Sequence, residues 1–207
     1  MVIGPNGNRK RKSNERRTTT LHDKKKCPYV HKLGEVFDEH IKCGFQKHDL
    51  EATMKTMVKE PYVHHVPVLT GGIGYSGVYN FYKNELIGKM PDDTKFVRIS
   101  RTIGKDQVVD EVILSFTHNR EIEFMLPGIP PTGKYVELPN VIIMKFNAGK
   151  IAHKHIYWDQ ASLLVQIGLL DPKRIPVSGI EQARMLMEIQ KGVKSRIATL
   201  ETDCNYF

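Results

Sequence analysis

Four polar side chains alternate near the end of the chain, and their types could carry acid–base chemistry. They are His153, His155, Tyr157 and Asp159. In an extended strand, residues two apart point to one face. There an imidazole and a phenol could polarise an oxygen while a carboxylate removes a proton. The alternate set contains Lys154, which suits solvent or a rim, so we predict that the histidine face lines a pocket.

Asp159 and His155 are the candidate catalytic residues, and each has a simpler interpretation. At the mouth of an apolar pocket, the pKa of the Asp159 carboxyl would rise and make it a better base. The same residue precedes a helical pattern, so it could equally cap that helix. The histidines could be partly exposed and inactive. A His-x-His pair could also bind a metal, but no third ligand is visible nearby, so we predict no metal site.

Other positions could contact a bound molecule. Glu111 lies among apolar residues, where an unpaired carboxylate is costly, but both faces of its predicted strand are equally apolar. Of His64 and His65, one lines the pocket or both are structural. Trp158 is a packing anchor or a pocket wall. The predicted binding residues are Glu111, Tyr157, Trp158, His153 and His64.

Most of the positive charge lies in the first 26 residues. They hold nine Lys or Arg and two acids, or +7 of the total of +8. Because the remainder is nearly neutral, nucleic-acid binding by the folded part is not expected. We predict that the basic tail is disordered. Its two basic clusters, 9–12 and 24–26, fit a bipartite nuclear-import signal, with a merely solvated tail as the alternative.

Several classes of protein are excluded by what the sequence lacks. No run approaches the roughly 18 apolar residues of a membrane span, and the start has no apolar stretch of a signal peptide. We therefore expect an intracellular, cytoplasmic protein. The three cysteines are widely spaced without a CxxC, which argues against a zinc site or disulfide framework. No phosphate loop, dinucleotide fingerprint, HExxH or Gly-x-Ser-x-Gly elbow occurs.

The first ordered part, from about residue 29, has helical periodicity. Its apolar stripe consists of Leu33, Val36, Phe37, Ile41 and Phe45. Asp49 is predicted to cap a second helix over 50–58. After an extended segment, 62–69, the Gly-rich stretch 70–74 is predicted to be a turn that leads into a third helix over 75–88.

From residue 95 the apolar period changes to two, which indicates strands. The predicted strands are 96–103, 107–117, 121–126, 134–146 and 150–158. Their short connections require antiparallel neighbours. Helical patterns follow at 160–170 and 180–200. Helices followed by a meander indicate an α+β fold, with N-terminal helices packed on a curved antiparallel sheet.

Two motifs resemble a known family. The segment 126–134, Leu-Pro-Gly-Ile-Pro-Pro-Thr-Gly-Lys, is similar to the proline-rich hairpin of SnoaL-like polyketide cyclases and ester-cyclase-type proteins. The segment 147–159, which closes on Asp159, resembles their final strand, and its continuation 160–170 resembles SnoaL-like proteins of fungi. The order of elements resembles the cone of the wider NTF2-like superfamily. The match covers about residues 30–172.

The resemblance implies a function and an assembly. By position, Asp159 matches the base of SnoaL-like cyclases, so we expect a cofactor-free lyase, isomerase or cyclase acting on a carbonyl-bearing apolar metabolite, and a homodimer formed through the outer sheet face. A non-catalytic ligand-binding or dimerisation module is the alternative. The predicted organisation is a tail over 1–28, a SnoaL-like domain over 29–172 and a helical extension over 173–207.

Overall fold

A computed structural model of the protein describes residues 28–192. The basic tail, apart from Pro28, lies outside the described residues, and so do the predicted import signal and the end of the last predicted helix. No helix within 28–192 is both long enough and apolar enough to cross a bilayer.

The described part of the chain contains five α-helices. They are α1 Pro28–Ile41, α2 Leu50–Lys55, α3 Gly74–Phe81, α4 Gln160–Gln166 and α5 Glu181–Gln190. A π-helical turn extends α1 over Lys42–Gln46, and another extends α3 over Tyr82–Leu86. The predicted cap of α2 is confirmed, because the Asp49 carboxylate accepts a hydrogen bond from the Ala52 N–H at 2.9 Å.

Between residues 28 and 192, six strands form one curved sheet in the order β2-β1-β6-β5-β4-β3. They are β1 Met57–His65, β2 Thr70–Ile73, β3 Lys95–Ile103, β4 Gln107–Thr117, β5 Tyr135–Asn147 and β6 Lys150–Trp158. The α+β class is confirmed. The sheet is mixed rather than wholly antiparallel, because β1 pairs with β6 in parallel. Antiparallel pairs join β1 to β2, β3 to β4, β4 to β5 and β5 to β6, while β2 and β3 lie at opposite edges of the sheet. Strand β1 joins the first and last parts of the domain.

Two local predictions were wrong. The stretch predicted as a turn forms β2, where Gly71 and Gly72 let the backbone approach β1 and α3 so closely that an added Cβ would collide with main-chain atoms. The predicted strand 121–126 is a series of turns. Ile122 and Phe124 are nevertheless buried in the apolar core. The alternation of apolar residues in this segment therefore reflects a loop whose side chains fill the interior, and not a strand.

An ion-pair network centred on the buried Asp110 ties α1 to the sheet. Asp110 on β4 is 1% exposed, and its oxygens accept from Arg101 Nε at 2.6 Å and from Arg98 Nε at 3.0 Å. Asp38 on α1 also accepts hydrogen bonds from both arginines. These pairs lower the pKa of the Asp38 carboxyl although burial opposes them. Helix α1 is thereby held across β3 and β4, over the concave face of the sheet.

The outer face of the sheet is covered in part by the C-terminal region. Helix α5 packs against β5, where Arg184 pairs with Glu137 at 3.1 Å, and Ile113 on the neighbouring strand is buried. Val141 and Tyr157, which are paired across β5 and β6, remain exposed. The predicted helical extension therefore packs onto the domain, and part of the outer face stays open.

Candidate functional site

The final strand turns its even-numbered side chains inward. Lys154, Ile156 and Trp158 are buried and line a cavity between the sheet and the helices. The prediction that the histidine face of β6 lines the pocket is therefore wrong. The physical reason is that Lys154 is buried with polar partners, while its neighbours on that face are the apolar Ile156 and the indole of Trp158.

The odd-numbered side chains form a cluster on the outer face. The Tyr62 hydroxyl lies 3.0 Å from His155 Nε2, and the Tyr62 ring stacks on His153 with centroids 4.5 Å apart. Tyr157 is exposed, and β1 places His64 beside His155. Within 28–192, no group of three or more His, Cys, Asp or Glu side chains is placed to hold a metal ion.

Two carboxylates singled out from the sequence also lie outside the cavity. Glu111 shares the outer face with Val141 and accepts a hydrogen bond from Ser100 at 3.1 Å. Asp159 is exposed and caps α4, accepting from the Ser162 N–H at 3.1 Å. Its second oxygen accepts from the Gln182 side chain at 2.7 Å, which ties α4 to α5. The capping interpretation of Asp159 is confirmed.

These contacts predict how Asp159 variants behave. We expect Asp159→Ala to lower the free energy of unfolding by about 1–2 kcal/mol, because both the cap and the link to α5 are lost. Asp159→Asn keeps an oxygen for the cap and should cost under about 0.5 kcal/mol. Urea denaturation measures both. Asp49→Ala is the matched control, since it removes a cap without affecting α5. Amide hydrogen exchange in α5 that is equally unchanged in both alanine variants would contradict the link.

The cavity is small, largely apolar and has four polar groups on its wall. Its volume is about 40 Å³, room for about three water molecules. The polar side chains that line it are His65, Asn140, Lys154 and Trp158. No Asp or Glu belongs to this lining in the part of the chain that the structure describes. The chemistry of the interior is thus that of an amine, an imidazole, an amide and an indole.

A wider groove adjoins the cavity at its mouth. The groove has a volume of about 510 Å³. The side chains common to both spaces are Ile41, Phe45, Leu86, Met90 and Phe96. Phe45 and Phe96 meet edge to face with centroids 5.0 Å apart. A molecule whose reactive end enters the cavity would leave the rest of its body in this groove.

Lys154 belongs to a buried triad. Its Nζ lies 3.2 Å from His40 Nε2 on α1 and 3.2 Å from the Tyr82 hydroxyl, which starts the π-helical turn after α3. His40 Nε2 and the Tyr82 oxygen are themselves 3.1 Å apart. The three residues are all at most 3% exposed. Three separate elements therefore converge on one amine, and π-helical turns are frequent at functional sites.

The hydrogen-bond chain behind the triad fixes the tautomer of His40. The Thr56 hydroxyl donates its only hydrogen to the Thr53 carbonyl oxygen at 2.6 Å. Its oxygen can therefore only accept from His40 Nδ1, which lies 2.7 Å away. His40 thus carries its proton on Nδ1 when neutral, and Nε2 is an acceptor that faces Lys154 and Tyr82.

Burial shifts the pKa of every member of the triad. Burial lowers the pKa of Lys154 to about 7. It also takes the pKa of His40 well below the usual range, and the nearby charge of Lys154 adds to this shift. The pKa of the Tyr82 hydroxyl is raised by burial, so it keeps its proton at neutral pH. Lys154 is therefore the member of the triad that changes charge near neutral pH.

Two polar atoms at the other end of the cavity lack a partner. Among residues 28–192, His65 Nδ1 and Trp158 Nε1 are buried without a hydrogen bond, and their rings meet at 5.4 Å between centroids. Burial and the charge of Lys154 lower the pKa of His65 to about 3, so its imidazole is neutral. The indole N–H can only donate. A ligand with an acceptor oxygen would satisfy this donor.

The sequence interpretation named Trp158 but missed His40, Tyr82 and Lys154 as a site. The available signal was the lysine itself, alternating with Ile156 and Trp158 on one strand face. His40 and Tyr82 lie 114 and 72 residues from Lys154. No local spacing connects positions so far apart in the chain.

A helix-covered curved sheet around an interior cavity places the protein in the NTF2-like class of α+β folds. The model of the SnoaL-like polyketide cyclase family matches residues 38–167, so the chain belongs to that family. No curated protein matches the sequence significantly. The fungal qualifier of the resemblance stays a prediction.

Solved structures with this fold share little sequence with the chain. A proposed SnoaL-like polyketide cyclase from Jannaschia sp. CCS1 is 17% identical with a TM-score of 0.57, over 70% of this chain and 97% of the other. TsrD from Streptomyces laurentii is 16% identical with a TM-score of 0.54, over 68% and 97%. An NTF2-like protein of unknown function from Burkholderia pseudomallei K96243 is 12% identical with a TM-score of 0.52, over 66% and 98%. These similarities establish the fold.

Proposed function

We propose that the cone binds a small apolar molecule with a carbonyl group and transfers a proton on the carbon beside it, with Lys154 as the base. The observation that carries this proposal is the Lys154 amine, buried at the wall of an apolar cavity and hydrogen-bonded to His40 and Tyr82. The proposal keeps the acid–base chemistry expected from the family resemblance, but it assigns the role of the base to the buried Lys154 and not to the exposed Asp159.

The protonation behaviour of Lys154 suits a general base. With a pKa of about 7, roughly half of the amine is neutral at neutral pH, and a base is most effective when its pKa lies near the working pH. An ordinary lysine, with a pKa of about 10.4, is almost wholly protonated there. The rate should therefore rise through pH 7 as Lys154 loses its proton.

The unpartnered donor of Trp158 gives the ligand a second contact. Positions 154 and 158 are four residues apart on an extended strand, about 13 Å between Cα atoms, with His65 paired beside Ile156 between them. A ligand that reaches both ends would carry an acceptor oxygen some distance from its reactive carbon. Its apolar body would fill the rest of the cavity and the groove.

Hydrogen–deuterium exchange at the carbon beside a carbonyl tests this function without knowledge of the natural substrate. Phenylacetone and cyclohexanone in D₂O are followed by proton NMR. We expect the protein to accelerate their exchange and Lys154→Met to lose about 10²–10⁴-fold of that acceleration. The matched control is Lys150→Met, which changes an exposed lysine at the start of the same strand.

The same assay separates the two candidate bases. Asp159→Asn should exchange at the parent rate, because Asp159 lies outside the cavity and caps α4. Loss of exchange in Asp159→Asn with full activity in Lys154→Met would refute the assignment and favour the aspartate. Equal acceleration in the parent and both variants would refute both bases, and exchange no faster than without protein would leave the protein without this chemistry.

A non-catalytic ligand-binding module is the second candidate. It is favoured by the small cavity volume, about 40 Å³, and by the hydrogen bonds that already engage the Lys154 amine. Binding of the two ketones, seen as NMR shifts in the Trp158 indole, without any exchange would select this alternative.

Homodimerisation stays a prediction. The exposed pair Val141 and Tyr157 on the outer face supports it, because paired apolar surface on a sheet is often covered by a partner. Sedimentation velocity at micromolar concentration tests it, and a monomer would refute it.

A further inference from the structure

We propose that Lys154 acts as a nucleophile and forms an imine with the carbonyl carbon of an apolar aldehyde or ketone in the cavity. The inference deepens the proposed function and rests on it, since it uses the same cavity and the same class of ligand. It adds a covalent intermediate, which a general base does not require.

The hydrogen bonds of Lys154 leave its lone pair free. A neutral amine has two hydrogens and one lone pair. The Tyr82 hydroxyl donates to His40 Nε2, which carries no proton, at 3.1 Å. Nζ donates one hydrogen to the Tyr82 oxygen at 3.2 Å, and its second hydrogen also lies near Nε2, at a Nζ–Nε2 distance of 3.2 Å. The remaining direction of the nitrogen is the lone pair, and Lys154 lines the cavity. The amine is thus held with its nucleophilic side unengaged.

Within residues 28–192, no carboxylate is placed to hold Lys154 in its protonated form. In the segment 28–192, no carboxylate lies within 4.0 Å of Lys154 Nζ, and none lines the cavity. The titratable groups that face Lys154 from the packed elements are His40 on α1, Tyr82 after α3 and His65 on β1. Both histidines have lowered pKa values and Tyr82 a raised one, so all three are uncharged at neutral pH. A desolvated lysine in such surroundings is typical of imine-forming sites.

The reaction balances without an oxidant or reductant. The Nζ lone pair forms a C–N bond while the carbonyl π electrons move to oxygen. One amine hydrogen moves to that oxygen as a proton and gives a carbinolamine. The second amine hydrogen follows as a proton, the hydroxyl leaves as water, and the nitrogen electron pair completes the C=N bond. The largely apolar lining of the cavity slows the return of water to that bond.

Reductive trapping tests the imine directly. The full chain is incubated at pH 7 with phenylacetaldehyde and sodium cyanoborohydride, digested, and analysed by mass spectrometry. We expect the peptide that contains Lys154 to gain the mass of the aldehyde less one oxygen atom. At pH 7 the neutral fraction of this amine exceeds that of an ordinary lysine about 1,000-fold, so labelling at Lys154 should exceed labelling at any other lysine by at least about 10-fold.

Two variants and a parallel assay make the result decisive. Lys154→Met should lose the adduct, and Lys150→Met should keep it at the parent rate. Tyr82→Phe removes a hydrogen-bond partner of Nζ and should shift the pH at which trapping is half-maximal, which a purely structural role would not do. The adduct at Lys154 with this pattern supports the imine.

The outcomes distinguish the imine at Lys154 from the proposed role of Lys154 as a general base. Ketone exchange that depends on Lys154, without trapping at Lys154, would overturn the imine and leave the general base in place. Labelling spread over exposed lysines, with none above background at Lys154, would also overturn the imine. Absence of both exchange and trapping would overturn both proposals.

Discussion

The Lys154→Met variant is expected to be more stable than the parent protein at pH 7, by about 3 kcal/mol. In the unfolded chain this lysine binds a proton with an ordinary pKa, whereas in the folded protein the pKa is about 7. A difference of about 3.5 pKa units corresponds to about 5 kcal/mol. The two hydrogen bonds of the amine return about 2 kcal/mol of this. Methionine fills a similar volume with no charge to bury.

The effect should depend on pH with a definite sign. The folded pKa of Lys154 is depressed, so the unfolded state binds more protons between about pH 7 and pH 10.5, and stability rises with pH across that window. The free-energy cost of burying Lys154 is at its full value below pH 7, and it disappears near pH 10.5, the ordinary pKa of a lysine. The parent protein should gain about 4 kcal/mol from this group over the window, while Lys154→Met should lack the gain.

Urea denaturation at four pH values between 7 and 10 measures both effects. The gap between the variant and the parent should close as the pH rises. His40 and Tyr82 remain 3.1 Å apart and can pair with each other in the variant, so the substitution leaves no orphaned polar group. Lys150→Met, at an exposed position, should stay within about 0.5 kcal/mol of the parent at every pH. If Lys154→Met is less stable than the parent and its free energy of unfolding depends on pH as the parent's does, the lowered pKa of the buried amine would be refuted.

The largest loss of stability is expected for Asp110→Ala, which should lower the free energy of unfolding by about 3–5 kcal/mol. Asp110 is 1% exposed and accepts hydrogen bonds from Arg98 and Arg101. Without it, Arg101, whose side chain is 14% exposed, keeps the half-exposed Asp38 as its ionic partner and the Gly34 carbonyl oxygen as a further acceptor. The loss should also loosen α1, which carries His40 to the triad.

Asp92→Ala is the matched control, because Asp92 pairs with Arg120 while 91% exposed. An exposed pair contributes roughly 0–1 kcal/mol, so this variant should unfold almost as the parent does. Guanidinium denaturation gives both free energies, and amide hydrogen exchange reports whether α1 opens first in Asp110→Ala. Equal losses in the two variants would refute the claim that the ion pairs of Asp110 hold α1 in place.

The strand pattern allowed the fold to be predicted from sequence, because apolar residues alternate along the strands from β3 to β6 and the turns that join β3 to β4 and β5 to β6 are short. The same pattern could not orient β6. Which face of β6 points inward depended on whether Lys154 or the two histidines would be buried. A charged side chain ordinarily lies in solvent, so the sequence favoured the histidines. The deciding partners, His40 and Tyr82, lie on helices remote in sequence.

Local pattern was also insufficient at two other places. Residues 70–73 contain two adjacent glycines, which are rare in strands, yet the close approach of β1 and α3 requires them there. Residues 121–126 carry apolar side chains without strand pairing, because they enter the interior from a loop. Both cases were decided by distant contacts, which single-sequence periodicity does not report.

The parallel pairing of β1 with β6 has a consequence for synthesis of the chain. Residues 57–65 must wait for residues 150–158 to emerge from the ribosome before the two can pair, and long-range pairing of this kind slows folding. Until then the nascent polypeptide exposes the apolar lining of the unfinished cone. Strand β6 joins β1 and β2 to the rest of the sheet and carries Lys154, so a prematurely terminated product would lack the site altogether.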